Sequence, residues 1–327
     1  MTAPANTASQ APLLTVQLAR KWQEATDICG LELLPLPGEH LPPFQAGDHI
    51  DVHLPGGLVR PYSLCNSPTE ADRYELGVLD APQSRGGSRA VHLGLRAGQT
   101  LQISAPRHQF SLAPQAAHHL LMAGGIGITP LLSMAHALHA QGASFKLHLA
   151  VRSRSRAPYL ERLAQLPWAA SVALHFDDEP DTRLDLAREV ADAPAGSHIY
   201  TCGPQGFMQA VLGAAEAAGW GADRRHQESF AAAAPEAGDQ PFELELSRSG
   251  RIITVAADQT AARALTDAGV FLATSCEQGV CGTCLTVVLA GEPDHRDQYL
   301  TPEEQAANDQ FLPCCSRAKG GRLVIDL

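Results

Sequence analysis

Ser275-Cys-Glu-Gln-Gly-Val-Cys-Gly-Thr-Cys284 places three cysteines at the spacing C-x4-C-x2-C, and Cys314 follows them further along the chain. This spacing is typical of plant-type 2Fe–2S clusters, in which four thiolates hold two irons. Glycines 279 and 282 within the loop let the backbone approach the sulfides of such a cluster closely. The stretch therefore predicts an iron–sulfur domain in the C-terminal part of the chain.

Two alternatives remain open on the residues alone. A structural zinc site more often has two C-x2-C pairs or cysteine combined with histidine, and this loop has one such pair. The cysteine at position 315 could take the place of its neighbour at 314 as the fourth ligand. A disulfide scaffold is disfavoured, because five of the eight cysteines lie in the last 52 of the 327 residues.

Charge and composition exclude several classes of protein. The chain has 24 Lys plus Arg against 35 Asp plus Glu, which argues against nucleic acid as a main partner. No apolar stretch is long enough to span a membrane, and the N-terminal residues do not resemble a secretory signal. We therefore expect a cytoplasmic protein that has no membrane partner.

The pattern of apolar and turn-forming residues changes twice along the sequence, which predicts three domains. Short alternating segments such as 49–54 and 74–78, separated by Gly and Pro, predict an antiparallel β-barrel over residues 1–113. Strand-like runs alternate with helical patterns over residues 114–232, which predicts an α/β domain with a parallel sheet. A linker over 233–240 then leads to the cysteine-rich domain of 241–327.

Two strand–turn–helix segments of the α/β part contain glycine. Gly124, Gly125 and Gly127 follow an apolar strand, and Cys202-Gly203-Pro204 follows another. Turns at the carboxyl edge of a parallel sheet line the crevice in which nucleotides bind. The residues are also compatible with two ordinary turns, since neither segment is a G-x-G-x-x-G fingerprint.

The barrel part contains two segments suited to a planar phosphorylated cofactor. Arg60-Pro-Tyr-Ser-Leu64 offers a guanidinium for a phosphate and an aromatic ring for a planar cofactor. Ser84-Arg-Gly-Gly-Ser88 offers successive backbone amides, a hydroxyl and a second guanidinium. Each segment alone could be an ordinary strand or loop.

Together these motifs resemble the phthalate dioxygenase reductase family, the reductases of class IA Rieske oxygenase systems, close to the vanillate O-demethylase reductases. The likeness covers all but about the first dozen residues, in the same order. It implies an FMN-binding ferredoxin-reductase-type barrel, an NAD-binding α/β domain and a plant-type ferredoxin domain of the α+β, β-grasp class. It also implies FMN, NADH and a 2Fe–2S cluster as cofactors, and Cys314 as the fourth ligand.

The resemblance assigns roles by matching position. The flavin would be contacted by Arg60, Tyr62, Ser63, Leu64, Val78 and Leu79, and by Ser229 and Phe230, which return to it, while its phosphate would be held by Gly86, Gly87 and Ser88. The nicotinamide nucleotide would be bound by Gly124, Gly125, Gly127, Thr129, Cys202, Gly203 and Pro204, of which Cys202 would be catalytic together with Ser63 of the barrel. The irons would be bound by Cys276, Cys281, Cys284 and Cys314. Leu79 departs from relatives that have a basic residue near the phosphate, which leaves more of that charge to Arg60 and Arg85.

The resemblance thus implies the reductase component of a Rieske-type aromatic oxygenase or O-demethylase system, monomeric and dependent on NADH. One alternative is an FAD-containing NAD(P)H reductase that serves another monooxygenase. A second alternative, from a different class, is an electron-carrier module that does not oxidise NADH. Asp177 and Asp178 follow a predicted strand and would repel the 2′-phosphate of NADPH if they lie near the ribose, whereas Arg152, Arg154 and Arg156 argue the other way. The resemblance decides between the two nucleotides and implies NADH.

Overall fold

The computed structural model describes residues 13–81, 86–230, 238–275, 277–279, 281–297 and 299–327. The chain forms two compact units, Met1–Glu228 and Ser229–Leu327. The first unit contains the predicted barrel and the predicted parallel sheet, and the second contains the cysteine-rich part. The boundary at 113/114 and the linker at 233–240 stay predictions, and residues 231–237 lie outside the described part.

The first half of unit 1 is an antiparallel barrel. Its strand order is β4-β3-β6-β1-β2-β5, with β7 added beside β3. A bridge between Leu64 and Leu76 joins the two ends of this order, so the sheet closes on itself. Buried aliphatic side chains fill the interior. The strands are β1 (Leu14–Ala25), β2 (Ile28–Pro35), β3 (Asp48–Leu54), β4 (Leu58–Ser63), β5 (Tyr74–Leu79), β6 (Thr100–Ile103) and β7 (Arg107–His108).

The second half of unit 1 is a five-stranded sheet with the order β10-β9-β8-β11-β12. All of its neighbouring pairs are parallel. Parallel strands place their carboxyl ends at one edge, so β8 and β11 end side by side. The strands are β8 (His118–Gly124), β9 (Phe145–Val151), β10 (Val172–Phe176), β11 (Ser197–Cys202) and β12 (Arg225–Glu228).

Helices cover both faces of this sheet because alternate residues of each strand point to opposite sides. In β8, Leu121 packs in the core that contains α2, whereas Leu120 packs with Val211 of α5 on the other face. A short helical segment, α1, lies in the barrel half and continues as a π-turn to Gly94. The helices of unit 1 are α1 (Gly87–Arg89), α2 (Ile128–Ala140), α3 (Leu160–Gln165), α4 (Leu186–Ala191) and α5 (Gln205–Ala217).

Unit 2 is a mixed sheet packed against a short helix. Its strand order is β14-β13-β19-β15-β17, in which β13 and β19 are parallel and the other neighbours are antiparallel. A separate strand pair, β16 with β18, lies beside it. The elements are β13 (Phe242–Leu246), β14 (Ile252–Val255), α6 (Ala261–Asp267), β15 (Thr286–Ala290), β16 (Pro293–Asp294), α7 (Pro302–Ala307), β17 (Gln310–Phe311), β18 (Arg317–Ala318) and β19 (Arg322–Ile325).

The predicted fold class is confirmed by this architecture. The apolar patterns of the sequence predict strands over 145–151, 172–176 and 242–246, and the structure has strands with these bounds. The sequence also predicts a helix from Pro130, and α2 begins two residues earlier, at Ile128. Within the described ranges, no helix combines the length and the apolar character that crossing a bilayer requires.

Candidate functional site

The two glycine turns meet at the carboxyl edge of the parallel sheet. Cys202 pairs in register with Ala123, so the two strands end at the same level. A Cβ on Gly127 would overlap the carbonyl of Cys202, and a Cβ on Gly203 would lie 2.8 Å from the Cα of Gly124. A Cβ on Gly124 would in turn lie 2.9 Å from Pro204. Three of the predicted glycines are therefore required because the two turns pack backbone to backbone.

Gly125 is different from the other glycines of this edge. Its φ is +56°, and a Cβ there would meet no atom within 4 Å. Open space beside a backbone turn at the start of α2 suits close approach of a pyrophosphate. Thr129, in the first turn of α2, is 1% exposed, and its hydroxyl donates to the carbonyl of Ile126 at 3.1 Å.

The antiparallel barrel contacts this edge within unit 1. A Cβ on Gly77 of β5 would lie 2.8 Å from the Cγ2 of Thr129 and would overlap the hydroxyl of Tyr159. The glycine at this position lets the barrel strand approach the start of α2. Tyr159 also lies 3.4 Å from the sulfur of Cys65, which extends the shared core of the barrel and the sheet.

The predicted phosphate residues come together on the barrel. A Cβ on Gly87 would lie 2.6 Å from the Cγ and 2.8 Å from the Nε of Arg60, so the arginine side chain lies over the start of α1. Gly86 has a φ of +94°. The hydroxyl of Ser88 accepts a hydrogen bond from the backbone amide of Ala81 at 3.2 Å. A guanidinium beside glycine amides suits the phosphate of FMN, whereas Ser84 and Arg85 lie outside the described residues.

The other predicted flavin residues lie on neighbouring barrel strands. Tyr62 of β4 is partly buried, and burial raises its pKa above the ordinary range. Leu64 and Val78 are buried in the barrel core, while Leu79 at the end of β5 is partly exposed. His92 follows α1 and its Nε2 lies 2.9 Å from the carbonyl of Val78, which ties the helical segment to the strand.

Ser63, Glu228 and Cys202 form a junction between the barrel and the sheet, which we call the junction triad. The Ser63 hydroxyl donates to Oε2 of Glu228 at 3.3 Å. Glu228 ends β12 and pairs in register with Cys202 at the end of β11. Burial raises the pKa of Glu228 to about 8, against which the hydrogen bond from Ser63 acts. The pKa of Cys202 is raised well above its usual value, first by burial and then by Glu228.

The sequence places Glu228 in a segment that, by resemblance, returns to the flavin with Ser229 and Phe230, but it predicts no role for Glu228 itself. The strand that carries it, Arg-His-Gln-Glu, has no apolar residue and therefore no strand periodicity. Its partner Ser63 is distant in sequence, so no local spacing links them. The following Ser229 and Phe230 begin unit 2, where Phe230 is exposed, and their predicted flavin contacts stay predictions.

Three of the four predicted ligands are among the described residues of unit 2, two of them in the cysteine loop and one, Cys314, further along the chain. Cys284 and Cys314 are buried in the same cluster of side chains, and the interaction with Cys284 is the first cause of the raised pKa of Cys314. The backbone of Gly279 acts on the same pKa in the opposite direction. Cys281 donates to the hydroxyl of Thr283 at 3.2 Å. Cys276 lies outside the described residues.

The neighbouring Cys315 has different surroundings. Its thiol lies 3.7 Å from the carbonyl of Leu312 and 3.7 Å from the hydroxyl of Ser316. Cys314 is therefore the cysteine of the pair that faces Cys284. The sulfur of Cys315 also lies against the cysteine loop, because a Cβ on Gly279 would overlap it. Cys314 as the fourth ligand therefore stays a prediction.

The donor set fits a two-iron cluster. Thiolates select iron–sulfur clusters over hard cations, and Gly279 and Gly282 have φ of +77° and +71°, which tightens the loop. No three metal-binding side chains among the described residues are arranged as ligands of a single ion. That finding is compatible with two irons, because each iron takes two of the four cysteines and one of these cysteines is Cys276.

Comparison with known proteins identifies the family. Residues 244–319 match the family described as 2Fe-2S iron-sulfur cluster binding domain, and residues 102–224 match Dimethylamine monooxygenase subunit DmmA-like, N-terminal domain. The chain is 51% identical over 306 residues to the vanillate O-demethylase oxidoreductase of Pseudomonas putida, covering 93% of this chain and 96% of the relative. The protein of the same name from Acinetobacter baylyi is 44% identical with the same coverage.

Among solved structures, phthalate dioxygenase reductase superimposes with a TM-score of 0.73 at 37% identity, covering 96% of this chain and 98% of that chain. The chain belongs to the phthalate dioxygenase reductase family. Membership confirms the predicted family, the multidomain fold class and the oxidoreductase activity. At the level of the family it also confirms FMN, NADH and a 2Fe–2S cluster as the cofactor set.

Proposed function

We propose that this chain passes electrons from NADH through FMN and a 2Fe–2S cluster to a terminal Rieske-type oxygenase. The observation that carries the proposal is the presence of three sites on one chain: Arg60 over the start of α1, the paired glycine turns, and the facing Cys284 and Cys314. The solved relative is described as a modular structure for electron transfer from pyridine nucleotides to [2Fe-2S]. The names of the vanillate O-demethylase oxidoreductases support an oxygenase or demethylase system.

The chemistry resides mainly in the cofactors, and the chain supplies binding and alignment. Bound FMN would supply the conversion of a two-electron hydride transfer from NADH into single-electron transfers, and a 2Fe–2S cluster would supply a one-electron carrier. Arg60, Gly86, Gly87 and Ser88 would hold the flavin phosphate. Tyr62 would lie against the ring, because an aromatic side chain on a barrel strand offers a flat apolar face.

The junction triad controls polarity where the barrel meets the nucleotide edge. Glu228 has a pKa raised to about 8, so its carboxyl group keeps a proton at neutral pH. Ser63 then faces a neutral partner, and the junction carries no negative charge that would repel an incoming hydride. Cys202 is 0% exposed and stays a neutral thiol, so its contribution is close packing against the glycine turn.

NADH is proposed as the substrate rather than NADPH. The backbone of Asp177 follows β10 and donates to Val151 at the end of β9, so its carboxylate stands at the nucleotide edge of the sheet. Arg154 pairs with Glu179 at 2.6 Å, and Arg156 pairs with Asp27 at 3.0 Å. These two guanidinium groups are therefore neutralised by carboxylates. A comparison of kcat/KM for the two nucleotides tests the proposal, and a preference for NADPH would overturn it.

The cofactor sequence can be tested on the purified full-length chain. We expect a visible spectrum with both flavin and iron–sulfur absorbance, and NADH-driven reduction of cytochrome c. Acid extraction followed by chromatography distinguishes FMN from FAD. Absence of both chromophores would refute the proposed function, and chromophores without NADH-driven reduction would favour an electron-carrier module.

The partner and the setting follow from the same proposal. We propose a monomer that works in the cytoplasm and docks a terminal oxygenase; the acidic balance of 35 acidic against 24 basic residues favours a partner surface with positive charge. The rate of electron transfer to such a partner should then fall as salt rises. Light scattering of the purified chain tests the monomer, and a rate independent of salt would contradict charge-guided docking.

A further inference from the structure

A carboxylate is buried directly behind the cysteine loop of unit 2. The side chain of Asp297 has 0% exposed area. Burying such a group is costly unless hydrogen bonds compensate it. The backbone amide of Leu300 donates to its Oδ2 at 2.9 Å, and the hydroxyl of Ser316 donates to its Oδ1 at 3.2 Å. His295 is also adjacent, with Nδ1 at 3.4 Å from Oδ1.

The charge of Asp297 is not matched by the arginine beside it. Arg296 directs its guanidinium to Asp239 at 2.6 Å and to Asp294 at 2.7 Å. The Leu300 amide and the Ser316 hydroxyl thus donate hydrogen bonds to Asp297, with His295 beside it, while the two salt bridges of Arg296 involve other carboxylates. A buried charge of this kind acts over a longer range than a surface charge, because little water screens it.

Two contacts connect Asp297 to the segments around the predicted fourth ligand. A Cβ on Gly279 of the cysteine loop would lie 3.0 Å from the Cα and 3.1 Å from the Cβ of Asp297, and it would overlap the sulfur of Cys315. On the other side, Ser316 bonds to Asp297 and lies 3.7 Å from the sulfur of Cys315. Asp297 therefore contacts both the cysteine loop, at Gly279, and the segment that contains Cys314, at Ser316.

We propose that Asp297 is a positioning residue whose negative charge keeps the reduction potential of the 2Fe–2S cluster low. The proposal rests on the proposed function, in that the loop cysteines bind the cluster. Reduction adds one electron to a group that four thiolates have already made negative. A fixed negative charge nearby disfavours that electron, and cluster potentials respond to charge and hydrogen bonds around the sulfurs. A lower potential gives more driving force for transfer to the acceptor.

The test is a redox titration of the full-length holoprotein followed by the EPR signal of the reduced cluster. Asp297→Asn removes the charge and keeps the shape of the side chain. We expect the ratio of reduced to oxidised cluster at a fixed applied potential to rise about tenfold, which is a shift of ~59 mV to more positive potential for one electron. Asp326→Asn is the matched control, because it removes the same charge from an exposed carboxylate of unit 2 that pairs with Arg248.

Ser316→Ala gives a second measurement with the opposite sign. It removes the hydroxyl that partly offsets the Asp297 charge, so the potential should become more negative. Loosening of the loop would instead move both variants in the same direction. A potential of Asp297→Asn equal to that of Asp326→Asn overturns the proposal.

If Asp297→Asn fails to retain iron, the proposal is tested by Ser316→Ala alone. A reduction potential of Ser316→Ala that equals that of the wild type or is more positive then overturns the proposal. A wild type without the 2Fe–2S EPR signal would instead refute the proposed function. A wild type that has the signal and reduces cytochrome c, with variants of unaltered potential, would contradict this inference alone.

Discussion

Replacing Glu228 with glutamine tests the electrostatics of the junction triad. Glutamine matches the shape of the neutral carboxylic acid, and its side-chain carbonyl can still accept the hydrogen bond that Ser63 donates at 3.3 Å. The substitution removes the group that can ionise. Any difference between the two proteins that depends on pH therefore reports the proton of Glu228.

The direction in which stability changes with pH follows from the raised pKa of Glu228. The carboxyl group of the folded chain titrates at about 8 against an ordinary value of 4.5. Between these values the unfolded chain has released the proton and the folded chain still holds it, so the wild type loses stability as pH rises through this window. At ~1.36 kcal/mol per pH unit the full loss is at most about 5 kcal/mol. Partial exposure of Glu228 to solvent reduces the expected loss to about 2–3 kcal/mol, because water screens the charge.

The assay is urea unfolding of the holoprotein from pH 5 to pH 9. Glu228→Gln should equal the wild type near pH 5 and should exceed it increasingly up to pH 8, after which the difference should stay constant. Glu216→Gln is the matched control, since Glu216 is an exposed glutamate of unit 1 that pairs with Arg225 at 3.0 Å. Parallel stability profiles of the wild type and Glu228→Gln would refute the reasoning.

Three further variants test the cofactor sites. Arg60→Ala should weaken FMN binding roughly tenfold to a hundredfold, because a charge-assisted hydrogen bond contributes about 1.5–3 kcal/mol. Fluorescence titration measures the FMN affinity; Arg60→Lys should recover part of it, and an unchanged affinity of Arg60→Ala would mean that the phosphate binds elsewhere. Gly127→Ala should lower the free energy of unfolding by more than about 2 kcal/mol and weaken NADH binding, because its Cβ overlaps a backbone carbonyl. The control is Gly206→Ala, whose Cβ meets no atom within 4 Å and which should change both quantities much less; equal effects of the two variants would contradict the packing argument. Cys284→Ala should abolish the 2Fe–2S absorbance and keep the flavin, whereas Cys29→Ala, a buried cysteine of the barrel, should keep both; an intact cluster in the first variant would remove Cys284 from the ligand set.

The sequence predicted those parts of the fold that depend on local patterns of residues. Strands such as Phe145–Val151 alternate or run apolar between clear turns, and their bounds agree with the structure. The cysteine spacing and the two glycine turns are equally local, since each depends on residues within one loop. The register that brings Gly127 against Cys202 was not predictable in detail, although two turns at one sheet edge were expected to share a crevice.

The parts that sequence missed depend on polar groups brought together over long separations. Glu228 lies in a strand without apolar residues, and it becomes significant only because Ser63 of the barrel donates to it. Asp297 reads as one acidic residue in an acidic domain until its burial and its contacts with Ser316 and Leu300 are known. In both cases the environment, and not the residue type, creates the property. Burial raises the pKa of the Glu228 carboxyl group, and hydrogen bonds from Leu300 and Ser316 hold the carboxylate of Asp297 in a buried position. Sequence patterns report which side chains are available for binding cofactors, whereas the local polarity around those cofactors is set by tertiary burial. The variants of Glu228 and Asp297 therefore test the local polarity around the cofactors of this reductase, which sequence motifs do not determine.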